Sequence, residues 1–405
     1  MPSYRAGWLL PISQPPIRDA WIRTQRGRIV AFGPTRPGDF TASDEVDLGN
    51  VAVLPGLTNA HTHLELSWMR GRIVDARAFP DWIRRLMELR SSAGPSSDER
   101  ARAIAPAIAE ARSCGTALVG DISNTLASST ALAAVGMAAV VFYELLGFQA
   151  DDADRIISSA LDVVAKLPAS AEIRHTIAPH APYSVSPALF GRIRVALTQE
   201  PFARSSLHLG ESEAEIEFLR DGTGAYRTLL DEIGKWDPSW VPPRCGPVEY
   251  IDRMGFLDDR LLVVHGVHFG TDDLERIVSK GATLVTCPRG NIMTGAGAPP
   301  ISEFFESGAR VAVGTDSLAS VPDLNMFSEL AEMRRLAPEV PARRLLEAAT
   351  MNGARALGFE SEFGTIDAGK RDALIAVEFE GPVTNVEEEL VSGVAASQVH
   401  WVPAS

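Results

Sequence analysis

Cysteine is scarce in this chain, and what there is stands apart. The three residues Cys114, Cys245 and Cys287 form no Cys-x-x-Cys pair, which speaks against a disulfide framework and against a cysteine zinc site. A reducing cytoplasm is the compartment such usage implies. Long apolar runs are missing too. None approaches the roughly 20 residues of a membrane-spanning helix, and the apolar patch near the N-terminus is broken by Pro11 and Pro15, too soon for a signal peptide. Lysine is nearly absent: only Lys166, Lys235, Lys280 and Lys370 occur, so arginine carries the basic charge almost alone. Acidic residues outweigh it, with a net charge of −14, which argues against nucleic acid or an acidic membrane surface as partner. No nucleotide-binding glycine fingerprint appears, which disfavours a redox enzyme.

What is present is a globular composition, 45% hydrophobic and 22% charged over 405 residues, enough for a large α/β barrel with an accessory unit. Residues 1–54 read as β structure. Ala20–Thr24 and Arg28–Phe32 alternate around Gln25-Arg26-Gly27, a hairpin signal, and Val46–Leu54 leads toward a first barrel strand. Eight apolar runs then alternate with amphipathic stretches: Leu54–His63, Thr116–Ile122, Ala138–Leu145, Ile173–Pro179, Ser205–Leu209, Leu261–His265, Thr283–Cys287 and Val311–Thr315. The stretches between them include Glu99–Ser113, Ala153–Leu167 and Leu274–Lys280. Parallel βα units of this number predict a (β/α)8 TIM-type barrel with its active site at the C-terminal strand ends. Two insertions, Ser67–Pro95 and Asp221–Gly255, fall where loops shape substrate pockets. Beyond the last barrel strand, Asp323–Leu336 and Ala342–Leu357 read as helices, while Gly364–Ile366, Ala373–Val377 and Val399–Val402 return to strand character. The expected organisation is a catalytic barrel over 55–359 and a small β-sandwich domain built from both chain termini, 1–54 plus 360–405.

His61-Thr62-His63 ends the first apolar run. Residues two apart on a strand face one side, so both imidazoles can aim at one point, as divalent zinc or iron requires. Two histidines merely sharing a strand end fit the motif equally well. His208 ends another run, with Glu211 three residues on; a buried histidine beside a solvated helix-opening glutamate is the ordinary alternative. His265 and His268 stand at the end of a sixth run. Asp316 follows the eighth, where an aspartate can also be a helix cap. Taken together, His61, His63, His208 and Asp316 supply three imidazoles and a carboxylate, about what a mononuclear centre with one open position needs.

The segments 55–63 (PGLTNAHTH), 208–211 (HLGE), 265–268 (HGVH), 287–291 (CPRGN), 314–317 (GTDS) and 369–373 (GKRDA) together resemble the amidohydrolase superfamily, specifically its deaminase branch. The resemblance spans essentially the whole chain. It implies that His61, His63, His208 and Asp316 bind one divalent metal ion, Zn2+ or Fe2+. It implies that Asp316 takes a proton from the attacking water, that Glu211 moves protons to the ring nitrogen and leaving ammonia, and that His265 stabilises the developing charge. Relatives with two metals bridge them through a lysine at the end of strand four; here Ile177-Ala178-Pro179-His180 holds none, so one ion is expected. A homodimer is what the family suggests.

The segment Ala178–Ser186 looks like strand four of enzymes that deaminate adenosine-type nucleosides, where His180 would touch substrate; a turn histidine among prolines is the alternative. Segments 142–147, 240–250 and 314–320 look similar to aminodeoxyfutalosine deaminases of menaquinone biosynthesis, whose substrate is an adenine nucleoside carrying a benzoate. Its carboxylate would suit an arginine, with Arg84, Arg85 and Arg289 as candidates, each otherwise an ordinary solvated side chain. Glu144 would read a nucleoside group or make a structural hydrogen bond. Gly290 stands where that resemblance leads one to expect serine, and Cys287 reads as core. Deamination of methylthioadenosine or S-adenosylhomocysteine, triazine-type hydrolysis, and a catalytically silent binding scaffold are the competing readings.

Overall fold

The computed structural model describes residues 2–35, 45–73, 78–93, 96–168, 170–200 and 203–404. Parts of the Ser67–Pro95 insertion, and of both terminal segments, lie outside them. The barrel strands are β1 (Leu57–Thr62), β2 (Thr116–Ser123), β3 (Ala138–Leu145), β4 (Ile173–Pro179), β5 (Ser205–Leu209), β6 (Leu261–His265), β7 (Thr283–Thr286) and β8 (Arg310–Val313). They pair in parallel as two four-stranded sheets, β1 to β4 and β5 to β8, in sequence order. Nearly every residue in them is buried, as a sheet covered on both faces requires, which is why the sequence shows continuous apolar runs rather than alternation.

The two sheets close on each other at two seams. At one, the His208 amide donates to the His180 carbonyl at 3.0 Å and Thr176 Oγ1 to the Arg204 carbonyl at 2.9 Å. At the other, the Asp316 amide donates to the His61 carbonyl at 3.1 Å, and Asn59 exchanges hydrogen bonds with Thr315 at 2.8 and 3.1 Å. Gly314 permits that approach, since a Cβ there would lie 2.5 Å from the His61 carbonyl oxygen. The fold is thus a (β/α)8 barrel.

Both termini build one seven-stranded sheet in the order Val399–Trp401, Leu374–Glu378, Val51–Pro55, Ser3–Leu9, Ile17–Gln25, Arg28–Pro34, with Glu45–Asp47 paired to Ser3–Leu9. The hairpin at Gln25–Gly27 is present. The single run Leu54–His63 is two strands, however. It divides at Gly56, so that Val51–Pro55 pairs with Leu374–Glu378 in the terminal sheet and only Leu57–Thr62 enters the barrel. Gly364–Ile366 forms no strand; it lies in a turn tied to the sheet through the Ile366 amide and the Pro11 carbonyl at 2.9 Å. The helix expected over Ala342–Leu357 is Ala342–Glu347 followed by a π-turn, Ala348–Asn352, and a last turn, Gly353–Ala356. Among the described residues no helix is long and apolar enough to cross a membrane.

The two insertions roof the C-terminal end of the barrel. The first contributes the helix Phe79–Ala93. The second contributes Gly224–Glu232, anchored by Trp236 and Trp240, whose rings lie 5.7 and 5.5 Å from Phe148.

Candidate metal centre and active site

Strand β1 delivers His61 and His63 to the C-terminal end of the barrel, with ring centroids 4.9 Å apart. His208 arrives from β5, its centroid 5.0 Å from His61 and 5.4 Å from His63. Asp316 follows β8 in a left-handed conformation, φ 58°, and turns Oδ1 to within 3.6 Å of His63 Nε2 and 3.9 Å of His61 Nε2. The ligand atoms of His61, His63 and Asp316 lie within 4.8 Å of one another, as do those of His61, His208 and His265.

The donor set fits a divalent cation on its own chemistry. His61 is fully buried and neither ring nitrogen has a hydrogen-bond partner, a costly state for a polar ring unless something else binds it. His208 Nδ1 donates to the His180 carbonyl at 3.0 Å, which leaves the Nε2 lone pair pointing inward, 3.3 Å from His63 Nε2. Fixing the outer nitrogen to orient the inner one is the usual support for a metal-binding histidine. Burial, reinforced by the neighbouring imidazoles, holds His61 and His63 well below the ordinary histidine range, and burial brings His208 to about 4. All three are therefore neutral donors near pH 7.

The acid groups sit alongside. Glu211 is buried, with Oε1 3.4 Å from His265 Nε2. Burial, then the nearby Asp316 and Glu215 carboxylates, push its carboxyl well above the ordinary range, so it holds a proton where a solvated glutamate would not. Asn291 Nδ2 donates to His265 Nδ1 at 2.9 Å, so the neutral ring of His265 carries its own proton on Nε2, toward Glu211. Burial raises Asp316 to about 6, opposed by a hydrogen bond from Ser320 Oγ to Oδ2 at 2.7 Å.

These groups face one cavity of about 700 Å³, lined by His63, His180, His208, Glu211, His265 and Asp316 on the barrel side. His180 and Glu144 both reach it. Ser184 gives its proton to the Ala181 carbonyl and accepts from His180 Nδ1 at 2.6 Å, leaving His180 Nε2 as an acceptor. Glu144 Oε2 accepts from Asn124 Nδ2 at 2.9 Å. The roof is largely apolar, with Phe79, Trp82, Ile83, Leu86 and Met87 from one insertion.

The three arginine candidates lie off the cavity wall. Arg289 does not line the cavity; its guanidinium is spent on Asp323 at 2.8 Å and lies 3.6 Å from Glu329. Arg84 pairs with Glu232 at 3.6 Å, and Arg85 is also off the cavity wall. The reason is helical periodicity. In Phe79–Ala93 the wall residues are 79, 82, 83, 86, 87, 90 and 91, one face of a helix of 3.6 residues per turn, and 84 and 85 fall outside it. That face brings in Arg90 instead. Ser320, Asn291 and Asn124 also belong to the site without having been singled out; the first two lie in or beside segments 314–320 and 287–291, while Asn124 carries no sequence signal.

The Amidohydrolase family profile matches residues 52–397. A 5-methylthioadenosine/S-adenosylhomocysteine deaminase of Moorella thermoacetica is 29% identical, covering 97% of this chain and 90% of its own. Among solved structures, an adenosine deaminase from Xanthomonas campestris with bound zinc superposes with a TM-score of 0.83 at 26% identity, covering 98% of this chain and 90% of that one. The Helicobacter pylori aminofutalosine deaminase in complex with methylthio-coformycin gives 0.84 at 25% identity, covering 96% and 95%.

Proposed function

This chain belongs to the amidohydrolase family, in its deaminase branch, and from that premise we propose that it hydrolyses the exocyclic amine of an adenine-type nucleoside, most specifically that of 6-amino-6-deoxyfutalosine, to give futalosine. His61, His63, His208 and Asp316 would hold one divalent ion, Zn2+ or Fe2+. When bound, such an ion makes water a nucleophile near neutral pH.

The chain's own groups do the rest. Asp316 takes the proton released as water adds to the ring carbon. Glu211 protonates the adjacent ring nitrogen and, now ionised, takes the remaining proton of the added hydroxyl and delivers it to the departing amine; the carbon–oxygen double bond forms, the carbon–nitrogen bond breaks, ammonia leaves, and the proton held by Asp316 returns to Glu211. His265, with its proton on Nε2, stabilises charge building on the added oxygen. His180 presents an acceptor to the purine.

The observation that carries this reading is the buried Glu211, 3.4 Å from His265 Nε2, on the same cavity as His63, His208 and Asp316. The cavity also favours a substrate larger than adenosine, since about 700 Å³ with an apolar roof exceeds what a bare nucleoside fills. Thioether nucleosides are the second reading, supported by the activity of the Moorella relative. The test is ammonia release, with the adenine-to-hypoxanthine absorbance change, on metal-loaded protein given aminodeoxyfutalosine, S-adenosylhomocysteine, methylthioadenosine and adenosine. Preference for aminodeoxyfutalosine supports the proposal; preference for a thioether nucleoside keeps the chemistry and replaces the substrate; inactivity on all four overturns it.

A further inference from the structure

The cavity wall carries a cation that, among the described residues, forms no direct ion pair, although the Glu144 carboxyl feels its charge. Of the arginines near the cavity, Arg155 is held by Asp152 at 2.7 Å, Arg84 by Glu232 at 3.6 Å and Arg289 by Asp323 at 2.8 Å. Arg90 lines the cavity and, among the described residues, has no carboxylate within ion-pairing distance. Its Nη2 donates instead to a neutral amide oxygen, Asn124 Oδ1, at 3.0 Å.

That tether is itself rigid. The Asn124 amide N–H donates to Glu65 Oε1 at 3.0 Å, and Nδ2 donates to Glu144 Oε2 at 2.9 Å and to the Glu144 carbonyl at 3.2 Å. Asn124 is thus fixed from three sides and hands one oxygen to Arg90. The guanidinium is positioned without being neutralised, and its remaining N–H groups stay available. A planar fork of this kind matches a carboxylate bidentately. In a chain of net charge −14, an anionic substrate is repelled at long range, and a local unpaired cation is what offsets that.

We infer that Arg90 recognises an anionic substituent of the substrate, a carboxylate by class, and so sets which adenine nucleoside is accepted. The inference rests on the nucleoside-deaminase reading and goes beyond it in naming the residue.

The test compares ligands that differ in charge. Equilibrium binding of futalosine, which carries a carboxylate, and inosine, which does not, is measured on metal-loaded wild type, Arg90→Met and Arg90→Lys, alongside kcat/KM for aminodeoxyfutalosine and methylthioadenosine. A lost charge-assisted contact should cut the futalosine-to-inosine affinity ratio about 10- to 100-fold in Arg90→Met, with the kcat/KM ratio falling in step through KM. Arg90→Lys should recover part of it. A ratio that Arg90→Met leaves unmoved overturns the inference while leaving the deaminase reading standing. Binding of both ligands without turnover of either substrate overturns the deaminase reading, and the affinity ratio still decides the role of Arg90. Failure of wild type to bind either nucleoside overturns both.

Discussion

Ser320 holds one oxygen of Asp316 and leaves the other to the histidines. Its hydroxyl donates to Oδ2 at 2.7 Å, while Oδ1 lies 3.6 Å from His63 Nε2. Ser320 is itself buried; the Ser317 amide donates to its Oγ at 3.2 Å, and the Ser317 carbonyl lies 2.9 Å from the same hydroxyl, farther than the Asp316 oxygen. Gly290 makes room for this arrangement, because a Cβ there would lie 3.2 Å from Asp316 Oδ2 and 3.5 Å from Ser320 Oγ. The serine expected at 290 has therefore been replaced by space, and a hydroxyl reaches the carboxylate from residue 320.

Removing that hydroxyl should show as lost positioning. Ser320→Ala is expected to lower kcat about tenfold, the scale of one hydrogen bond to a charged group, with little change in KM. Adding Gly290→Ser to Ser320→Ala should return much of the loss, whereas Gly290→Ala in the same background should not. Equal behaviour of the two double variants would show that packing, not the hydroxyl, matters.

Glu211→Gln keeps the shape of the buried acid and removes its proton transfer. Turnover should fall about 10²- to 10⁴-fold, with metal content by elemental analysis unchanged. The sign of the pH effect follows from the raised carboxyl. The active form is protonated, so kcat/KM should decline on the alkaline side as Glu211 ionises, and that limb should vanish in Glu211→Gln. Wild-type-like turnover in the variant would remove Glu211 from the chemistry.

Asp316→Asn should abolish turnover even where metal is retained, because the amide cannot accept the proton of the attacking water. Elemental analysis separates loss of the ion from loss of the base. An active Asp316→Asn protein would contradict both roles.

Stability carries a separate pH signature away from the proton-transfer groups. Burial raises Asp121 to about 7, although Ser128 and the Leu64 amide donate to its carboxylate, the latter at 2.8 Å. The same group ionises near 3.8 in the unfolded chain. Between those values the unfolded state binds fewer protons, so raising pH favours unfolding, and the loss is complete above about pH 7. Urea midpoints at pH 5 and pH 8 should show wild type losing more stability than Asp121→Asn over that interval. A parallel decline in both proteins would assign the effect to other groups.

The barrel was legible because strands buried on both faces must be apolar throughout, and each of the eight appeared as such a run. That the two termini share one β unit was legible too, but not which strand meets which. Val51–Pro55 and Leu57–Thr62 form one apolar stretch, and only their partners, Leu374–Glu378 and Thr116–Ser123, separate them. The histidines and Asp316 could be found because each ends a strand. Arg90 could have been found from the helical face it shares with Trp82, Ile83, Leu86 and Met87, once that stretch was taken as a helix. The hydroxyl of Ser320 could not, since its spacing of four residues from Asp316 does not say which way either side chain turns.

The two seams of the barrel give the candidate metal ligands a further significance. His61 and His63 come from the half formed by β1 to β4, while His208 and Asp316 come from the half formed by β5 to β8. Neither half alone carries the donor set. A growing chain can thus present two histidines early and still have nothing able to sequester an ion until the second half has docked. The proposed metal centre would be complete only once the two halves of the barrel have met.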